Sequence, residues 1–412
     1  MIRRCAGWAL VLTLASCPAL AQTLDENALF EDAATIATAN SESIALYNTL
    51  QSVTFSGQIQ NYGLISLDGD DHQFLSYADT DFFLDIRLNK GIKAFADFNV
   101  LAASREVVPG AGKTALGVKE FFVDIPMSDT LYLRTGKQFL SWGRTYFWKP
   151  VDFANQQQVD FFRPAAIREG VYGLRLHVSE QTDNVYLFFQ TDDANRLTGI
   201  AFIGRYEWTV GHSELGLSSR VRYHQPTRYG FDFYTPAGGW DINTELSASY
   251  GTTRQRVTQN SGVATASVIS REWVMQAAVN VGRSFDWERP DRITWTTELY
   301  YDSAGYAQNV LADPVIGPTI VALGYTPNHL SQWYAASFLT ISEFPNHSTS
   351  LSSNILANLV DRSYVFSIGL TYTWIPAFKT GLLLSRLSGA STTEYGQSGT
   401  AYQILASAIL TF

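Results

Sequence analysis

Arginines and aspartates at alternate positions are the residues of this chain best placed to do chemistry. Residues 214–223 set Glu214, Gly216, Ser218, Arg220 and Arg222 against Leu215, Leu217, Ser219, Val221 and Tyr223. Residues 79–89 set Asp79, Asp81, Asp85, Arg87 and Asn89 against Phe82, Leu84, Ile86 and Leu88. A row of guanidinium groups attracts and orients anions, and a row of carboxylates does the same for cations. Bond-making chemistry is poorly supported. Asp68, Asp70, Asp71 and His72 cluster without the full ligand set of a calcium loop. His347, Ser348 and Asn354 are a hydrolase's residue types, but His347 and Asn354 have opposite parity and cannot share a strand face. Six histidines without a paired motif argue against a transition-metal site. No Gly-rich phosphate loop opens a helix. No catalytic residue, metal or cofactor is therefore expected.

The elements that must carry these rows are strands. From Gln51 onward the hydrophobic period is two. In 364–374, Tyr364, Phe366, Ile368, Leu370, Tyr372 and Trp374 alternate with Val365, Ser367, Gly369, Thr371 and Thr373, and 241–250 repeats the pattern. These runs reach about 10–13 residues, against about 5–6 for ordinary globular strands. Their apolar faces often end in Tyr or Trp, as at Tyr62, Trp208, Tyr223, Tyr250, Tyr301 and Trp374, which suits the two interfaces of a membrane. The charged faces then look into a water-filled lumen. The fold expected is all-β: one transmembrane antiparallel β-barrel of about 18 strands, with 16 open because the pair around 226–252 is the least secure. Short connections such as Asn89-Lys90-Gly91 and Ile375-Pro376-Ala377 fall on one parity, while the long ones near 140–169, 253–268, 303–330 and 389–400 fall on the other. The last strand puts Tyr402, Ile404, Ala406, Ala408, Leu410 and Phe412 on one face. It resembles the C-terminal signature of bacterial outer-membrane barrels, which implies the barrel-assembly machinery as a partner.

Composition agrees. The chain has 412 residues, 46% hydrophobic and 16% charged, with Lys+Arg 29 against Asp+Glu 38 and a net charge of -9. That balance disfavours a nucleic-acid surface. Beyond the first twenty residues no apolar run reaches the roughly 18 that a membrane helix needs. Residues 1–21 read as a secretory signal cleaved after Ala21, in competition with a lipoprotein reading at Leu14-Ala15-Ser16-Cys17. Cleavage after Ala21 removes Cys5 and Cys17, the chain's two cysteines. Residues 22–50 show roughly helical spacing and are expected as a short helical segment, a surface helix, a plug or a partner helix; 51–412 form the barrel.

Strand parity sorts the charges. Arg134, Arg175, Arg205, Arg220, Arg222 and Arg228 are expected on a lumen-facing basic wall. Asp79, Asp81, Asp85, Asp97, Asp241, Glu245, Glu272 and Glu298 are expected inward as well, chiefly on strands two, three and eleven to thirteen. Opposed walls would order water and favour polar solutes. Pairing with neighbours across strands is the equal alternative.

One segment stands apart. Residues 131–155 contain Gly136, Gln138, Trp142, Gly143, Pro150 and Asp152 in the order Gly-x-Gln, Trp-Gly, Pro-x-Asp. The segment resembles one shared by porin-like outer-membrane barrels of Gram-negative bacteria, and the barrel resemblance covers Gln51 to Phe412. It implies that the loop folds inward and narrows a pore. Trp142, Tyr146, Phe147 and Trp148 would then anchor it on the wall, and Trp142, Arg144, Lys149 and Asp152 become the candidate constriction. The expected function is a passive outer-membrane channel for small hydrophilic solutes, among outer-membrane lipid and lipopolysaccharide. The alternative is a polysaccharide export or surface-attachment barrel, for which the arginines would form a track.

Overall fold

The computed structural model describes residues 50–68, 71–105, 113–154, 169–192, 194–397, 399 and 401–412. The signal, the helical segment up to residue 49 and the loop stretch 155–168 lie outside the described residues. The chain opens with β1 (Leu50–Asp68), β2 (Asp71–Leu88), β3 (Lys93–Ala103), β4 (Thr114–Pro126), β5 (Leu131–Gln138) and β6 (Val171–Glu180). It continues with β7 (Asp183–Gln190), β8 (Ala201–Val210), β9 (Ser213–Arg222), β10 (Arg228–Ala237) and β11 (Trp240–Tyr250). After a small hairpin, β12 (Gln255–Asn260) and β13 (Val263–Val268), come β14 (Trp273–Phe285) and β15 (Ile293–Asp302). A helix, α1 (Ile316–Leu323), precedes β16 (Trp333–Ile341), β17 (Thr349–Asn358), β18 (Ser363–Ile375), β19 (Phe378–Ser388) and β20 (Tyr402–Thr411).

Eighteen of these strands form one sheet, each antiparallel to its neighbour, and β20 closes the ring on β1 with Tyr62 opposite Ser407. Closure pairs every edge, which is what a strand-built wall in lipid requires. The less secure pair is present as β10 and β11, so the count is 18 rather than 16. At the seam Phe412 and Gly57 exchange backbone hydrogen bonds of 2.8 and 3.0 Å. The Phe412 ring lies so close over Gly57 that a Cβ there would stand 2.4 Å from it.

The outer face is apolar. Phe366, Ile368, Leu370 and Trp374 are all exposed, as are Phe55, Phe74, Leu116 and Phe121. Such a band has no place in water but matches a lipid-facing surface. Aromatic pairs rim it at both ends: Tyr250 with Trp273 (5.7 Å) and Tyr301 with Trp333 (4.7 Å) toward the long loops, Trp240 with Trp295 (5.8 Å) and Tyr372 with Trp374 (4.8 Å) toward the short turns. Tyr62 is the exception to the expected girdle. It points inward, stacked on Tyr77 at 4.9 Å in a buried cluster with Leu75, Leu101 and Leu405. The strand runs on to Asp68, so Tyr62 is mid-strand and its parity is that of the lumen.

The hairpin and α1 are the elements the two-residue period did not foreshadow. Both lie in the connections read as long loops. The hairpin arms are six residues each, turning at Ser261 and Gly262, both at positive φ. Asp313 caps the approach to α1, accepting from the Val315 and Ile316 N–H groups at 2.8 and 2.9 Å. Val257, Leu311, Ile320 and Leu330 join the two in a core of their own.

Candidate functional site: a loop held inside the barrel

After β5 the chain enters the lumen. Residues 139–154 pack on inward-facing side chains: Leu140, Trp142 and Phe153 with Phe188 and Ile203, Phe147 and Trp148 with Tyr300, Tyr334 and Phe338. Trp148 is fully buried and stacks on Tyr300, with centroids 5.1 Å apart and planes 4° from parallel. Aromatic area of this kind is the main apolar tie between loop and wall.

Two wall carboxylates bind the loop's backbone. Glu245 on β11 accepts from the N–H groups of Arg144 (2.6 Å), Thr145 (2.7 Å) and Val151 (3.1 Å), and from the Thr145 hydroxyl (2.5 Å). Glu298 on β15 accepts from Tyr146 (2.8 Å), Phe147 (3.0 Å) and Trp148 (2.7 Å). Five successive N–H groups thus converge on two anions, the backbone form of an anion-binding nest. Gly143 makes the turn possible. Its φ is 114°, and a Cβ would lie 2.6 Å from a Glu245 oxygen. The Gly of the Trp-Gly motif is therefore required both by conformation and by the carboxylate that approaches it.

The four candidate constriction residues divide. Trp142 is buried against Tyr186, centroids 6.1 Å apart. Arg144 donates to Asp232 at 2.6 Å and also pairs with Glu214, so it fastens the loop to β9 and β10. Lys149 and Asp152 line a cavity of about 600 Å³, and Lys149 donates to Ser141 at 2.9 Å.

The expected basic wall divides as well. Arg220, Arg222 and Arg228 line the same cavity. Arg205 is buried on Asp232 (2.6 and 2.9 Å), Glu207 (2.7 Å) and Ser218 (2.8 Å). Arg134 pairs with Asp124 at 2.7 Å and faces Arg175 on the next strand. On the acidic side, Lys119 reaches Asp81 at 2.5 Å, and Asn99 donates to Asp79 and Asp81. A bulge in β4 at Lys119 lets both it and Glu120 serve the lumen side. Asp85 binds Lys93 (3.0 Å) and Arg87 (3.1 Å), and Asp241 accepts from Tyr234 at 2.9 Å. Asp97 is buried on the same inner wall, while Glu272 lies in the connection before β14. Cross-strand pairing, not a bare wall, accounts for most of these charges. The pair formed by His347 with Glu343 (3.2 Å) and Arg289 (3.2 Å) sits at a short turn.

The cavity also draws on residues that strand parity did not single out. Arg254 donates to Asp302 (2.8 Å) and to the His329 carbonyl (3.1 Å), and the Tyr300 hydroxyl meets His329 at 3.0 Å. Asp302 ends an alternating strand and was within reach of the parity argument; Arg254 and His329 lie in connections with no period to read. Burial pushes the His329 imidazole down to about 4, so it is neutral near pH 7. The lining holds five cations, Lys149, Arg220, Arg222, Arg228 and Arg254, against the carboxylates Asp152 and Asp302. Arg228 stacks over Phe153 at 4.6 Å.

A second tie runs through the long loops. The Trp148 indole N–H donates to the Asn328 carbonyl at 3.1 Å, and the Asn328 N–H donates to Glu394 at 2.8 Å. Glu394 also accepts from Tyr334 (2.7 Å) and Asn358 (2.8 Å). Burial pushes its carboxyl up to about 7.

No family model and no curated protein matches the chain. Solved structures do. Pseudomonas aeruginosa OccK8 (OprE) aligns with a TM-score of 0.57 at 8% identity, covering 89% of this chain and 99% of that one. Pseudomonas aeruginosa OccK2 (OpdF) aligns at 0.53 with 11% identity over 89% and 99%, and OccK5 (OpdH) at 0.53 with 8% over 89% and 98%. The chain has the closed 18-stranded antiparallel barrel fold of these outer-membrane porins.

Proposed function

We propose that the protein is an outer-membrane channel through which small hydrophilic solutes diffuse passively, with a preference for anions. The observation that carries this reading is the cavity beside the inserted loop, where five cations meet two carboxylates. In a narrow, low-dielectric enclosure that excess raises the local concentration of anions and lowers that of cations. A structure of OccK2 in complex with glucuronate shows that protein holding a small hydrophilic carboxylate. An anion of that size suits the arginines here. The exporter alternative calls for a wide basic path, which a loop fixed across the lumen opposes.

The reading places the chain in a Gram-negative outer membrane after export and signal cleavage. The long-loop end faces outward, in lipopolysaccharide, and the strand ending in Phe412 presents itself to the assembly machinery. The test is conductance of the refolded protein in a planar bilayer under a salt gradient. Ohmic steps with a reversal potential of anion sign are expected, and replacing Arg220 and Arg222 with Ser moves that potential toward cations. A folded barrel that conducts nothing, or one that selects cations, overturns the proposal.

A further inference from the structure

Beneath the β12–β13 hairpin and α1 lies a second cavity, of about 220 Å³. One side of it is aliphatic and aromatic, with Val257, Ile320, Leu323, Leu330 and Tyr306; Gln255, Thr326 and His329 lie on the other. One strong polar group is left over. Arg256 stands with its guanidinium 5.2 Å from the Tyr306 ring centroid, and its Nε is buried without a hydrogen-bond partner. No carboxylate pairs with it among the described residues. Two of the polar groups around it are already engaged: the Tyr306 hydroxyl exchanges hydrogen bonds with the Val257 backbone at 2.8 and 3.0 Å, and Arg254 is held by Asp302. Arg256 is half-buried, and a guanidinium whose inward Nε lacks an acceptor favours an anionic ligand on that side.

We propose that this cavity is a binding site for a small aliphatic monoanion, such as a short-chain carboxylate. The carboxylate meets the Arg256 guanidinium and the hydrocarbon chain lies among Ile320, Leu323 and Leu330. The volume is below the roughly 300 Å³ at which sites for drug-sized ligands begin, so the ligand is a small one. Arg254, Ala304, Thr326 and His329 line both this cavity and the larger one, which puts the site beside the lumen. That the site loads the lumen rests on the channel reading; that it binds does not.

The experiment is equilibrium binding of hexanoate to the full chain in lipid nanodiscs, followed by saturation-transfer NMR with empty nanodiscs as blank. Acetate supplies the charge without the chain, and hexanol the chain without the charge. Hexanoate is expected to half-saturate at a concentration at least tenfold below either control. Arg256→Gln raises that concentration about tenfold by removing a charge-assisted contact, and Leu323→Asp raises it by repulsion. Both variants change loops outside the barrel, and unchanged heat-modified mobility on a gel shows that each has folded. Equal binding of acetate or hexanol, or an Arg256→Gln variant that binds hexanoate as well as the parent, overturns the proposal. Either failure leaves the ohmic steps intact, so it is separable from failure of the channel reading.

Discussion

Replacing Glu245 with Ala removes one of the two anions that hold the inserted loop. Three backbone N–H groups lose their acceptor, while the Thr145 hydroxyl keeps the Trp148 carbonyl. Each buried donor left alone costs about 1–3 kcal/mol. Removing the carboxylate also relieves a desolvation cost of several kcal/mol, so the net loss is about 3–5 kcal/mol, as for one member of a buried ionic pair. Trp148, Val151 and Phe153 remain as apolar anchors, each contributing about 1.5–3 kcal/mol. The loop therefore stays docked most of the time, while its released fraction rises by a factor on the order of 10² to 10⁴. In a planar bilayer the variant is expected to show larger and noisier single-channel steps than the parent. The ring of strands does not depend on the loop, so heat-modified mobility on a gel should be unchanged. Glu245→Gln keeps the shape and one acceptor oxygen and falls between the two. Parent-like noise and step size in a folded Glu245→Ala barrel would refute the idea that this carboxylate fixes the loop.

Gly143→Ala strains a φ of 114° and drives a methyl group against Glu245, so it should reproduce the noise of Glu245→Ala without removing any charge; quiet parent-like traces would count against the turn argument. Glu394 predicts a pH effect of definite sign. Its carboxyl is raised from an ordinary 4.5 to about 7, so its support for the docked loops is complete below about pH 4.5 and is lost as pH rises through about 7. Current interruptions should become more frequent between about pH 5 and pH 8 in the parent and stay level in Glu394→Gln. At the seam, Phe412→Ala leaves Gly57 uncovered beside Phe55 and Phe82; the ring is half exposed, so the loss of stability is about 1–2 kcal/mol, read as a lower urea midpoint of the refolded barrel; an unchanged midpoint would show that the ring does not help close the barrel.

The barrel was legible because lipid imposes one rule on every strand: outward residues apolar, inward residues free to vary. Residues 364–374 obey it at every position, and the structure turns Tyr364, Phe366, Ile368, Leu370, Tyr372 and Trp374 outward while Val365 and Ser367 are buried inside. Tyr62 misled because a tyrosine near the presumed end of an apolar face looks the same whether it meets a membrane surface or stacks on Tyr77 within the wall. The hairpin and α1 stood outside the rule, since segments above the membrane need no continuous alternation. The docking of the loop was legible only through its resemblance. Parity gives Glu245 and Glu298 a face, but strand spacing carries no record of which backbone amides a carboxylate will meet. Gly143 was the residue that held that information, and its meaning appears only when φ and the approach of Glu245 are known.

The same pairing explains why net charge is a poor guide to the lumen. The chain carries -9 overall, yet the cavity beside the loop is basic. Several carboxylates on the inner wall have bound partners: Glu245 and Glu298 hold backbone amides, Asp232 holds Arg144 and Arg205, and Asp81 holds Lys119. A carboxylate with its lone pairs filled by amides and guanidinium groups presents little field to a passing ion. Arg228, by contrast, has no ion pair among the described residues and lies over the Phe153 ring, where a cation keeps its full charge. Inward acids thus hold the loop and the neighbouring cations. On the proposed channel reading, neutralising Arg228 should change the reversal potential more than neutralising Arg205, which Asp232 already balances.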